Sequence, residues 1–162
     1  MSSAKITEQA LAEYVLSIDN GTQSVRAMLF DAMGNLHSLS RVEIEPYVSA
    51  QPGWAEQEAD YYWQAVGQAC QQLWRQVSID KTQIKGVSVT TQRGTVVHVD
   101  QQGQALRPAI VWLDQRLADV TQPLPNPWRS LFKLVGLSGI VHYFRSQAEV
   151  NWVAEHQPDI YA

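Results

Sequence analysis

Three short apolar stretches, separated by small polar residues, follow one another in the first third of the chain. Their spacing predicts three antiparallel strands at 14–19, 24–31 and 36–45. Asn20 and Gly21 stand between the first two strands, and both residues tolerate the positive φ that a tight turn demands. The pattern therefore predicts a β-hairpin with a tight turn directly after the first strand.

The hydrophobic period then changes to that of a helix. Apolar residues recur at three- and four-residue spacing from Ala59 to Val77, which predicts an amphipathic helix of about five turns with Trp63 and Trp74 in the core. Residues 84–91 predict a strand, and a strand reached across a helix pairs in parallel with its neighbour.

The remainder of the chain predicts shorter elements. Residues 96–99 and 109–112 are strand candidates, and two helices are expected near 128–135 and 147–156. Three antiparallel strands, a helix and a parallel strand form the order of a ribonuclease H-like, actin-like ATPase core. The predicted fold is therefore α/β, with a mixed sheet and flanking helices.

Composition narrows the class of partner. The chain has 162 residues, of which 45% are hydrophobic, so it can bury a core. Its net charge of −4 provides no basic surface for binding nucleic acid or an anionic membrane. A lone Cys70 excludes an internal disulfide and a cysteine-based zinc site. Residues 1–13 are interpreted as an N-terminal extension without a signal-peptide core. We therefore expect a cytoplasmic protein that binds a small molecule.

The turn after the first strand gathers groups suited to phosphate. Backbone N–H groups of Gly21, Thr22 and Gln23 can form a concave donor surface. Asp19 beside them would be repelled by phosphate, so its presence favours a divalent ion such as Mg²⁺ between the two. Arg26 could hold Asp19 or contact phosphate directly. The alternative is that Asp19 bonds only local amides, as in many hairpins that bind no nucleotide.

Five stretches of the sequence, taken together, resemble the N-terminal part of the FGGY family of carbohydrate kinases. Their order and spacing carry the resemblance across nearly the whole chain from Tyr14 onward. In this chain they are IDNGTQSVRAMLFD (18–31), QPGWAEQEADYYW (51–63), IKGVSVTTQRGTVVHVD (84–100), ALRPAIVWLDQR (105–116) and HYFRSQAEVNWVAEHQPDIYA (142–162).

The resemblance implies ATP-dependent phosphorylation of a hydroxyl on a sugar or polyol, with ATP and Mg²⁺ as cofactors. It makes Asp19 the Mg²⁺-associated carboxylate. The residues it assigns to the cofactors are Asp19, Asn20, Gly21, Thr22, Gln23 and Arg26. The residues it assigns to the substrate are Gln92, Arg93, Trp112, Asp114 and Tyr143.

The chain departs from the family pattern at two points. Gly94 follows Arg93 where glycerol kinase-like members have Glu, so a larger sugar or polyol is expected rather than glycerol. Family members are also much longer, which implies that residues 14–162 are the N-terminal domain of a two-domain kinase that could form homo-oligomers. The general-base Asp and adenine site would then lie further along, with no catalytic residue in this chain and no activity from it alone.

Other interpretations stay open on the residues alone. The chain could be a sugar- or phosphate-binding fragment that does not turn over, or another actin-like ATPase. Arg93 could form a structural ion pair with a neighbouring acid, since paired charges are often structural. Trp112, in an apolar run, could belong to the core.

Overall fold

The computed structural model describes residues 13–161, so the predicted extension at 1–13 lies almost entirely outside the described residues. The chain divides into two compact units. Among the described residues, the first unit comprises those up to Pro46 together with Glu58–Gly94, and the second comprises Tyr47–Gln57 together with those from Thr95 onward. The strands are β1 (Tyr14–Asn20), β2 (Ser24–Asp31), β3 (Leu36–Glu43), β4 (Glu56–Gln57), β5 (Ile84–Thr90) and β6 (Ala109–Ile110). The helices are α1 (Ala59–Gln76), α2 (Trp128–Leu134), α3 (Ser138–Gln147), α4 (Glu149–His156) and α5 (Pro158–Tyr161).

The first unit contains a four-stranded mixed sheet in the order β3-β2-β1-β5. β1 and β3 pair antiparallel with β2, whereas β5 pairs in parallel with β1. The hairpins and the parallel crossover predicted from the sequence are therefore confirmed. Because β1 is central, the groups at its carboxyl end lie between those of β2 and β5.

Helix α1 covers one face of this sheet, as its periodicity predicts. Ala65, Ala69 and Leu73 pack against a core that includes Val25 and Leu29, all with 2% or less of their surface exposed. Ser40 ties the sheet to the helix, since its hydroxyl donates to the Ala69 carbonyl at 2.6 Å.

Only one of the two tryptophans expected in this core is there. Trp74 packs against the cluster, but Trp63 is 77% exposed, so the prediction for Trp63 was wrong. The helix buries the face marked by Tyr62, Ala65, Ala69 and Leu73, and Trp63 falls outside that stripe.

The second unit has little regular sheet. Residues 96–99 form only isolated bridges, Val96 with Ile110 and Val99 with Ala105, and the strand expected at 109–112 is limited to β6, which pairs with the unpredicted β4. The backbone hydrogen bonds of this unit are divided among short bridges, so no long strand forms in it.

The helices of the second unit differ from expectation in one respect. The helices expected near 128–135 and 147–156 correspond to α2 and α4, whereas α3 was not predicted. The core of the second unit contains Ile110, Ala118, Val120, Trp152 and Val153. Helices α2 and α3 contribute no buried residue to it.

Candidate functional site

Asp19 is held by two neighbours at the end of β1. The carboxylate Oδ2 accepts from the Arg26 guanidinium at 2.6 Å, and Oδ1 accepts from the Thr90 hydroxyl at 2.9 Å. Both partners follow from the sheet register, which places Arg26 of β2 and Thr90 of β5 opposite Asp19. About a third of the Asp19 side chain remains exposed. The carboxylate is thus fixed in direction and still open to a ligand.

The hairpin turn after Asn20 is built differently from the prediction. Among the described residues neither Asn20 nor Gly21 has a positive φ, so the tight turn expected from the Asn-Gly pair was wrong. The strands instead pair up to Asn20 and Val25, and the Gly21 N–H donates to the Ser24 carbonyl at 3.1 Å. A Cβ at Gly21 would lie 3.1 Å from that same oxygen. Glycine is favoured here by the close approach of the backbone.

Two contacts brace this turn from either side. The Gln92 side-chain amide donates to the Gly21 carbonyl at 3.1 Å, and the Ile44 N–H donates to the Gln23 carbonyl at 2.9 Å. Because both carbonyls accept hydrogen bonds from residues outside the turn, the backbone of the turn is held in a defined orientation. Gln92, expected to contact substrate, therefore lies against the predicted phosphate turn.

The oxygen groups at this turn fit a hard cation such as Mg²⁺. The Asn20 Oδ1 atom is buried and has no hydrogen-bond partner among the described residues, and it follows directly on the partly exposed carboxylate of Asp19. Amide and carboxylate oxygens are ligands that Mg²⁺ accepts, usually with water and phosphate completing its shell. No cluster of three or more His, Cys, Asp or Glu that could hold a metal occurs within residues 13–161. Such an ion would therefore also depend on phosphate or water.

Arg93 and Gly94 follow β5 in the same unit. Arg93 is exposed and forms no ion pair within the described part of the chain, so the structural pairing considered for it is not observed. Gly94 has a φ of 73°, in the left-handed region that favours glycine. A glutamate in this backbone conformation would be strained, so glycine suits the position.

Trp112 and Tyr143 belong to the second unit, and both are exposed. The Trp112 side chain is 52% exposed, so it is not a core residue, and its backbone N–H donates to the Thr95 hydroxyl at 3.3 Å. Tyr143 on α3 is 57% exposed and packs edge-on against Phe144, with ring centroids 5.7 Å apart. Both side chains are accessible to a ligand.

Asp114 lies in a buried ion-pair cluster. Its carboxylate receives the Arg116 guanidinium at 2.6 and 2.8 Å and the Ala55 N–H at 2.7 Å, and the side chain is 2% exposed. Glu56 joins the cluster by pairing with Arg116 at 2.9 Å and with Arg107. The predicted substrate contact of Asp114 stays a prediction, and this geometry favours a structural role.

Aromatic rings enclose this cluster. The Arg116 guanidinium lies 3.9 Å from the Trp54 ring centre and 4.6 Å from that of Trp152. Burial opposes ionisation of Asp114, but hydrogen bonds from Arg116 and Ala55 outweigh it and lower the pKa of this carboxyl. The cluster is therefore a charged core of the second unit.

Sequence reasoning missed Thr90, whose hydroxyl holds Asp19. Nothing in the local pattern distinguishes it from the other polar residues of β5. The register of a parallel pair, with Asp19 opposite Thr90, is the signal that identifies it. Thr90 became recognisable only once β1 and β5 were aligned.

A model of the N-terminal domain of the FGGY family of carbohydrate kinases matches residues 14–162, nearly the whole chain. The chain belongs to the FGGY family of carbohydrate kinases. The family predicted from the five stretches is thereby confirmed.

Individual FGGY relatives agree in sequence and in fold. A glycerol kinase of Thermococcus gammatolerans is 32% identical over 152 residues, which are 93% of this chain and 30% of the relative. A xyloylose kinase of Brucella ovis superposes with a TM-score of 0.71 at 24% identity, covering 92% of this chain and 30% of that structure. A glycerol kinase of Plasmodium falciparum with ADP gives a TM-score of 0.63 at 22% identity, with the same coverage.

These solved FGGY structures confirm the predicted α/β fold. The chain spans about 30% of the length of the curated relatives that it matches. No helix within residues 13–161 is long and apolar enough to cross a membrane.

Proposed function

We propose that the protein to which this chain belongs transfers the γ-phosphoryl group of ATP to a hydroxyl of a sugar or polyol. The observation that carries the proposal is the side chain of Asp19, which is held by Arg26 and Thr90 at the end of β1 and is still one-third exposed. Membership of the FGGY family supplies the class of reaction.

The turn after Asp19 supplies the proposed nucleotide and metal site. Backbone N–H groups around Thr22 and Gln23 would donate hydrogen bonds to phosphate oxygens. Asp19 and the unpartnered Asn20 oxygen would hold Mg²⁺. When bound, Mg²⁺ would neutralise charge that develops on the transferring phosphoryl group. Arg26 serves to orient Asp19, because its 2.6 Å contact already commits it to that carboxylate.

Three exposed side chains, those of Arg93, Trp112 and Tyr143, are proposed to contact the acceptor. Arg93 is exposed and without an ion pair among the described residues, so its guanidinium is available to two adjacent hydroxyls. Trp112 and Tyr143 offer accessible aromatic surface for the apolar face of a polyol. Because Gly94 removes a carboxylate, the proposed acceptor is larger than glycerol.

The remaining expectations are part of the same proposal. Phosphoryl transfer needs a base for the acceptor hydroxyl, and we place that base, with the adenine site, outside residues 14–162. Cytoplasmic location and a homo-oligomeric state stay predictions. We propose that Gln92 stabilises the turn after Asp19, because its side-chain amide donates to the Gly21 carbonyl.

The decisive experiment replaces Asp19 by Asn in the intact protein. We expect phosphorylation of the accepted sugar to fall by about 10²–10³-fold, because removing one preorganised electrostatic group in an active site costs about that much. The matched control is Asp31→Asn. Asp31 lies at the start of the next turn and accepts hydrogen bonds from Asn35, so this variant also replaces a turn carboxylate by an amide. Sugar-dependent release of ADP is the measurement. Undiminished turnover in Asp19→Asn would remove this hairpin from the mechanism.

A second variant separates the kinase from the other functions considered. Arg93→Ala should abolish sugar phosphorylation while leaving sugar-independent ATP hydrolysis unchanged. An actin-like ATPase without a sugar substrate would show no phosphorylation in either form. A non-catalytic binding protein would retain sugar in a titration and yield no ADP.

A further inference from the structure

A cavity of about 170 Å³ lies in the second unit, beside α2 and α3. Its apolar wall includes Leu124, Phe132 and Val141. Its volume is comparable to the roughly 150 Å³ of an engineered apolar cavity that accepts benzene. The cavity is therefore large enough for one ring or a short branched chain.

Three basic side chains also line this cavity. They are Arg129 of α2 and His142 and Arg145 of α3. No acidic side chain is among its described lining residues. Neither arginine belongs to any ion pair within residues 13–161. Like charges gathered around an apolar space repel one another, and an anion placed there would relieve that repulsion.

The surrounding sequence reinforces this charge imbalance. Residues 120–148 contain Arg129, Lys133 and Arg145 but no Asp or Glu, although the whole chain has 16 acidic residues and a net charge of −4. A local excess of positive charge in an acidic protein is not explained by composition. The segment that contains α2 and α3 therefore carries a local positive charge.

One acidic side chain shares a second cavity with Arg145, and it is already engaged by backbone groups. Arg145 also lines a second, polar cavity of about 340 Å³, where Glu155 is the acid among the described lining residues. Both Glu155 oxygens accept backbone N–H groups, from Asp119 and Val120 at 2.8 Å each. Glu155 therefore forms no ion pair with Arg145.

We propose that the cavity between α2 and α3 binds a small organic anion, with an apolar body against Leu124, Phe132 and Val141 and its carboxylate or phosphate group held by Arg129 and Arg145. The guanidinium groups suit either anion, because both accept paired N–H donors. On α3 the cavity residues recur at three- and four-residue spacing, at 138, 141, 142 and 145. Tyr143 falls outside this face, so the site is distinct from the proposed acceptor contacts and does not depend on the kinase function.

The test uses benzoate as the probe, titrated into the protein by calorimetry. Benzyl alcohol keeps the ring without the charge, and inorganic phosphate keeps the charge without the ring. We expect saturable benzoate binding at least about tenfold tighter than either comparison compound, because only benzoate uses both parts of the site. Equal affinity for benzyl alcohol, or no saturable benzoate binding, would overturn the proposal.

Variants then locate the binding. The double variant Arg129→Gln/Arg145→Gln should weaken benzoate binding by about tenfold or more, since charge-assisted hydrogen bonds are lost. Lys133→Gln is the matched control, because it removes a positive charge from α2 without touching the cavity, and it should change affinity less than about twofold. Equal loss in both would show a general charge effect and reject the site.

A further variant tests the apolar part with the charges intact. Ser138 lines the cavity at the start of α3 and is exposed, so Ser138→Phe fills space without disturbing the core. We expect it to abolish benzoate binding while circular dichroism stays unchanged. Unaltered binding in a folded Ser138→Phe protein would place benzoate elsewhere and contradict the proposal.

Discussion

Two Asp–Arg pairs in this protein have the same contact distance and different surroundings. Asp19 meets Arg26 at 2.6 Å in the first unit, and Asp114 meets Arg116 at 2.6 Å in the second. The first pair is about one-third exposed on each side, whereas both members of the second are 2% exposed. Burial thus separates a carboxylate that a ligand can reach from one that stabilises the fold.

The largest expected effect on stability comes from breaking the buried pair. Asp114→Asn removes the closer of the two carboxylates that pair with the buried Arg116 guanidinium and leaves only Glu56 beside it, and breaking a buried pair costs up to about 3–5 kcal/mol. The matched variant Asp19→Asn should cost less than about 1 kcal/mol, as exposed pairs do. Urea denaturation of both variants measures the contrast. Equal losses of stability would remove the distinction between the two pairs.

The dependence of stability on pH sharpens the same contrast. Hydrogen bonds from Arg116 and Ala55 outweigh burial and hold the pKa of Asp114 below its ordinary value of 3.8. A group whose pKa is lower in the folded state stabilises the protein above its unfolded pKa, and that contribution is lost as pH falls through the folded pKa. The wild-type free energy of unfolding should therefore fall on acidification, and less steeply in Asp114→Asn. Parallel pH profiles for the two proteins would contradict the assignment.

The smallest expected effect concerns the turn after Asp19. Gly21→Ala places a Cβ about 3.1 Å from the Ser24 carbonyl, so the backbone must shift, and we expect a loss of about 1 kcal/mol. Gly67→Ala is the control, because a Cβ there meets nothing within 4 Å in the middle of α1. That change should stabilise the helix by up to about 1 kcal/mol. Thermal unfolding of both variants distinguishes them, and a stabilising Gly21→Ala would show that the turn needs no glycine.

Much of the first unit was predictable because its signals are local. Short apolar runs marked β1 and β2, apolar-polar alternation marked β3, and three- and four-residue spacing marked α1, so strand pairing followed from element order. The Asn-Gly turn was predicted wrongly because that signal describes a two-residue loop. The pairing of Asn20 with Val25 instead leaves four residues to close the hairpin.

The second unit was harder to predict because its interactions are distant in sequence. Glu56 pairs with residues 51 or more positions later, and no local pattern reports that contact. Helix α3 was missed since Gly136 and Gly139 interrupt its start, where glycine argues against a helix. The resemblance covered this region without indicating that Asp114 is buried.

The amino-acid sequence by itself determined the order of strands and helix in the first unit, the family, and the identity of Asp19 as the carboxylate at the end of the first strand. These depend on hydrophobic periods and motifs that neighbouring residues carry. Only the tertiary structure decided that Thr90 and Arg26 hold Asp19, that Gln92 braces the turn, and that Asp114 is enclosed. Burial and partner choice depend on groups brought together by folding, so they are absent from any local stretch of the chain.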